Sequence, residues 1–207
     1  MMRYMQVFLF VSLSLMLGST LALKLDASIC DSKYCDRTAD RADWGDVPAL
    51  KGLFNKREHF SIHLPLSPTH LVTTDSLFAA KYSNGQLIAI SELNRADYTY
   101  LNASSYSLID WANIVFHKHR KSTKPKNIED LRAWNETLFI KKMILNAEKI
   151  SFVEKKNYKI YLMEGKKNGP YQNVAYLVNE NVPNSIFQIE FDRFPTRDIY
   201  QILNSIP

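Results

Sequence analysis

The sequence predicts an α+β protein: a mostly antiparallel sheet with covering helices, layered as an α/β/α sandwich and preceded by an N-terminal arm that carries a disulfide. Three observations lead there. Apolar residues alternate with period two in several short runs. Two longer segments repeat apolar residues at three and four positions, the spacing of one helix face. The chain has only 6 glycines but 11 tyrosines and 11 phenylalanines, a composition that fills a core and argues against disorder.

The chain opens with MMRYMQVFLFVSLSLMLGSTLALKLDAS. A positive residue, Arg3, precedes an apolar run from Val7 to Leu17, and Thr20-Leu21-Ala22 supplies small residues for cleavage, the pattern of a secretory signal peptide over residues 1–22. The run is short for a bilayer span of ~20 residues, so no transmembrane segment is expected after cleavage. The localisation implied is periplasmic or secreted. Residues 23–57 read as an arm, highly charged, with a short helix near Ala49 to Phe54 and with Trp44 and Phe54 to pin it. The arm holds the chain's 2 cysteines, Cys30 and Cys35. In an oxidising compartment such a close pair forms a disulfide. The alternative is a redox or metal pair, although the four-residue spacing is not that of thioredoxin-like sites.

Residues 58–207 form the single domain. FSIHL alternates Phe60, Ile62 and Leu64 against Ser61 and His63, a strand closed by Pro65. In FAAKYSNGQLIAI, Asn84-Gly85 signals a hairpin through a two-residue turn. That turn pairs Tyr82 with Leu87 and Ala80 with Ala89 on one face, and Lys81 with Ile88 and Ala79 with Ile90 on the other. Both faces are apolar, so cover on both sides is expected. SSYSLIDWANIVFHKHRK reads as a helix with Leu108, Trp111, Ala112, Val115 and Phe116 on one stripe and Ser105 or Ser107 at its cap. NIEDLRAWNETLFIKKMILNAEKI reads as a second, capped by Asn127, with Leu131, Trp134, Leu138 and Phe139 on its apolar side and Glu129 and Asp130 in its first turn. YKIYLME, QNVAYLVN and SIFQIEF alternate cleanly and are linked by turn-rich segments, which predicts an antiparallel meander. Ile199, Ile202, Leu203 and Ile206 then mark a closing amphipathic helix.

The most basic stretch is HKHRKSTKPKN, with Lys118, Arg120, Lys121, Lys124 and Lys126 and no acid. Placed between two helices, its cations at one C-terminus are favoured by the dipole and account for most of the stretch without a ligand. The alternative is a patch that binds anionic lipid, cell-wall polymer or an acidic protein partner in the envelope. Nucleic acid is not expected: the formal net charge is only +5, acids are interspersed, and stacking aromatics are absent from the stretch. His117 and His119 stand two apart on a helix and point away from each other, which makes them poor metal ligands. No H-E-x-x-H, G-x-S-x-G or glycine-rich phosphate loop is present. No cofactor is called for and no catalytic residue is assigned, although a Ser-His-Asp site can assemble from distant positions. Asn102 and Asn135 head N-x-S/T acceptor patterns, which matter only in a eukaryotic source.

The element order, with FSIHLPLSP at its start and FQIEFDRFPTRDIYQILNSI at its end, resembles that of the PsbP/Mog1-like sandwich proteins over about residues 58 to 206. The resemblance implies their fold. That group is functionally varied, so it implies no active site, and the arm with Cys30 and Cys35 is outside it. Three function classes follow. The leading one is an exported, non-enzymatic binding or accessory protein for a protein partner, for instance an immunity-type protein that neutralises a toxin in the envelope. The second binds a small ligand or lipid in a cleft lined by Tyr158, Tyr161 and Tyr176. The third is a hydrolase with a dispersed site.

Overall fold

The computed structural model describes residues 38–44, 47–56, 60–117, 125–144, 147, 149–165 and 173–207. The expected signal peptide, Cys30 and Cys35 lie outside these residues. In chain order the elements are β1 (Asp40–Arg41), β2 (Leu53–Lys56), β3 (Ser61–Leu64), β4 (His70–Thr73), β5 (Leu77–Lys81), β6 (Leu87–Asn94), a short 3-10 turn (Arg95–Asp97), α1 (Thr99–Asn102), α2 (Leu108–Phe116), α3 (Ile128–Ile144), β7 (Lys149–Lys155), β8 (Tyr158–Glu164), β9 (Asn173–Asn179), β10 (Ser185–Asp192) and α4 (Thr196–Asn204).

Eight strands make one sheet in the order β1-β7-β8-β9-β10-β6-β5-β4. Every pairing is antiparallel except β1 with β7. The expected α+β class with a mostly antiparallel sheet is therefore observed. The alternation read in β8 to β10 divides two cores. On one face Ile160, Leu162, Ala175, Leu177, Phe187, Ile189 and Phe191 pack under α4 and the β2–β3 pair. On the other, Tyr161, Met163, Tyr176, Val178 and Ile186 pack under α1, α2 and α3. One cover is thus helical, while the other is a two-stranded ladder plus a single helix.

The C-terminal half of α4 is held from several sides. Ile199, Ile202, Leu203 and Ile206 are buried, as the period predicts. The N–H of His63 donates to Ser205 Oγ at 2.8 Å, and the N–H of Leu50 donates to Gln201 O at 3.0 Å. Trp44 is buried and stacks on Tyr200 at 5.3 Å. Residues 38–56, expected as an arm, therefore contribute strands and core to the body.

Several local expectations are corrected. Residues 47–52 form no helix, and Leu53 opens a strand whose ladder with β3 supplies hydrogen bonds that Pro48 and Gly52 would deny a helix. The β5–β6 register differs by one residue from the expected one: Lys81 pairs with Leu87, Ala80 with Ile88 and Ala79 with Ala89. The loop has three residues, because Tyr82 and Gln86 still pair at 2.9 Å, and Gly85 takes φ 82° at its end. Helix α2 stops at Phe116, and His117 is extended at φ −114°, ψ 162°. Its ring pairs with the Tyr161 hydroxyl at 2.9 Å and its carbonyl accepts from the buried Lys141 ammonium, contacts that a helical His117 would forfeit. Helix α3 ends at Ile144, and Lys149 and Ile150, expected at the helix end, instead open β7 (Lys149–Lys155). Phe139, expected on the apolar face of α3, is 53% exposed, while Ala133, Thr137 and Lys141 are buried.

Candidate functional site

Most of the basic stretch lies outside the described residues, including Lys118, Arg120, Lys121 and Lys124; Lys126 is exposed just before α3. The helix caps around it are observed. Asn127 Oδ1 accepts from the Asp130 N–H at 2.8 Å, and Ser107 forms a capping box with Asp110.

The three tyrosines expected to line a cleft do not share a face. Tyr161 and Tyr176 are directly opposite each other on β8 and β9, on the α1–α3 side. Phe116 stacks on Tyr161 at 4.2 Å and meets Tyr176 at 5.6 Å. Burial pushes both phenols well above their ordinary range. Tyr158 sits on the α4 side, packed against the other core. The alternation that makes β8 a strand is what separates Tyr158 from Tyr161.

Two surface features carry more chemistry. The first is the edge strand β4. Among the described residues it pairs only with β5, all four of its residues are exposed, and Leu71 and Val72 are 54% and 53% exposed on opposite faces. Leu66, just before it, is also exposed. β4 contains no proline and no lysine, the usual devices that blunt an edge. Its outward backbone groups can accept another strand. The opposite edge differs, since β1 caps β7 at Ser151 and Phe152.

The second feature lies where the helix layer ends. On the helix side of β10, Gln188 and Glu190 follow Ile186, flanked on β6 by Ser91 and Ala89. Gln188 Nε2 donates to Glu190 Oε1 at 2.6 Å. Burial raises the Glu190 carboxyl above its usual range. Beside it stand Tyr176, Trp111 and Tyr98, with ring centroids 6.1 Å apart for Trp111–Tyr176 and 5.8 Å for Tyr98–Trp111. Sequence reading missed this group because it joins β9, β10, α2 and the turn before α1; the signal was Gln188 and Glu190 on an otherwise apolar strand face.

Among the described residues no group of three or more His, Cys, Asp or Glu side chains could hold a metal ion. Among them too, no helix is long and apolar enough to cross a membrane. The chain matches no family model, no curated protein and no solved structure at a significant level.

Proposed function

We propose that the chain is an exported, non-enzymatic binding protein whose protein partner adds a strand at β4. The observation that carries this reading is the bare edge, four exposed residues with Leu71 and Val72 projecting on opposite faces. Strand addition takes affinity from main-chain hydrogen bonds and specificity from alternate side chains, and β4 offers both. The immunity-type role is one specific form of this reading.

Site-specific photo-cross-linking tests it. A photoreactive residue at exposed Thr73 is compared with one at exposed Ile128, on the full-length protein in extract of its own cells. A defined protein adduct from position 73, absent from 128 and abolished by Leu71→Lys, is expected. Identical adducts from both positions, or none from 73, would overturn the reading.

A further inference from the structure

We propose that Glu190, Tyr176 and Tyr98 form a binding site for a small organic cation bearing N–H donors, a primary ammonium or a guanidinium. The site is distinct from β4 and does not depend on partner docking.

The fold leaves several polar groups on this face without a hydrogen bond. Tyr176 is only 7% exposed, and its hydroxyl makes no hydrogen bond among the described residues. The Tyr98 hydroxyl likewise has none among the described residues; its ring meets Tyr100 and Trp111 and packs against the helix-side core. Glu190 receives one hydrogen bond, from Gln188, and Gln188 keeps its carbonyl oxygen free to accept. Gln188 stands directly across from Tyr176, Glu190 follows it on the same strand face, and Trp111 meets both the Tyr176 and the Tyr98 rings, so these acceptors share one patch. None of these oxygens is among the fully buried unpaired atoms, so each is open to a ligand, and a half-buried carboxylate gains from a counter-charge that also donates hydrogen bonds. A cation with several N–H donors supplies both the charge and the missing bonds.

The surroundings leave room for one. Directly across from Glu190 is Ala89, and across from Ala89 is Ala79, two of the smallest side chains on the sheet. Both are half-buried. The helix-side core reaches β6 at Leu93 but includes neither alanine. A ligand resting above them meets the Glu190 carboxylate at its end and the aromatic group of Tyr98, Trp111 and Tyr176 at its side. Ring faces add attraction for a cation. Requiring N–H donors, and not charge alone, follows from the number of acceptors.

Isothermal titration calorimetry with putrescine and with agmatine tests this, with tetramethylammonium as a cation that lacks N–H groups. Saturable binding of at least one of the first two is expected, with tetramethylammonium weaker by about tenfold or more. Glu190→Gln should lower affinity by about tenfold or more while keeping the near-ultraviolet dichroism of the wild type, and Tyr98→Phe should weaken it by a smaller factor. Leu71→Lys should leave it unchanged, which separates this site from the β4 edge. No saturable heat with either amine up to about 10 mM, or equal affinity in Glu190→Gln, would overturn the proposal.

Discussion

Asp130 shows how much one carboxylate can organise. It accepts from the Ser105 N–H at 2.6 Å, from the Ser105 hydroxyl at 2.8 Å and from the Asn127 amide, and so ties the start of α3 to the approach of α2. These bonds, the Ser105 N–H first, hold its carboxyl below the usual carboxylate range. A depressed folded-state pKa gives stability that is present above the unfolded value of about 3.9 and lost as pH falls through the folded value. Asp130→Ala should therefore cost about 1–3 kcal/mol at pH 7, and its melting temperature should converge on the wild type's in acid. Thermal melts at pH 7 and pH 3 check this; a gap that stays constant would contradict it. Glu190 has the opposite sign. Its carboxyl is raised by burial, so its contribution is full below the unfolded value of about 4.3 and lost as pH rises through the folded value. Unliganded Glu190→Gln should melt above wild type at pH 8, with the difference closing toward pH 4. The caps at Ser107 and Asn127 could be read from the sequence because capping is local. The Ser105–Asp130 bridge and the Glu190 group could not, since each unites residues from separate elements.

At the scale of elements, two glycines do different work. Gly85 ends the β5–β6 loop at φ 82°, and the only neighbour an added Cβ would crowd is the flexible end of Arg193, at 2.9 Å. Gly85→Ala should cost ~1–2 kcal/mol, the price of a left-handed alanine. At Gly52 an added Cβ would fall 1.9 Å from the Leu64 carbonyl oxygen, which is backbone that cannot step aside. Gly52→Ala should thus be the harsher change, on the order of 3 kcal/mol or more, by forcing β2 from β3. Denaturant unfolding of both variants ranks them, and the reverse order would show that the ladder tolerates the shift. Lys155 on β7 donates to the carbonyls of Leu203, Asn204 and Ile206, closing the open end of α4. Lys155→Met should cost about 1–3 kcal/mol by leaving them unpaired, read from the same curves. The legible elements were β8, β9 and β10, buried on both faces, and α4, buried along one apolar stripe; all show their periods plainly. The rest failed for identifiable reasons. β4 has no buried face and hence no pattern. The start of β7 follows α3 so closely that its apolar residues extend the helical pattern. Asn84-Gly85 fits two loop lengths, and choosing the shorter shifts every side chain of the pair to the wrong face.

Over the whole molecule, α4 is the lid of one core and has no substitute. Removing residues 196–207 would uncover Phe191, Phe194, Ile189 and Trp44 together. The shortened chain should lose near-ultraviolet dichroism and unfold without cooperativity; a sharp melt would show that the β2–β3 layer suffices. The α+β class and the meander were readable from the sequence because both follow from local period. Strand order was not, since nothing local states that β6 lies beside β10. That adjacency has a temporal consequence. Ile90 pairs with Ile189, so β6 finds its partner on β10 only after the intervening helices and strands have been made. β4, β5 and β6 emerge from the ribosome as an orphan ribbon and must wait, unstitched, until β10 appears. Until β10 appears the sheet cannot close, and the ribbon stays open to chaperones that hold unpaired strands.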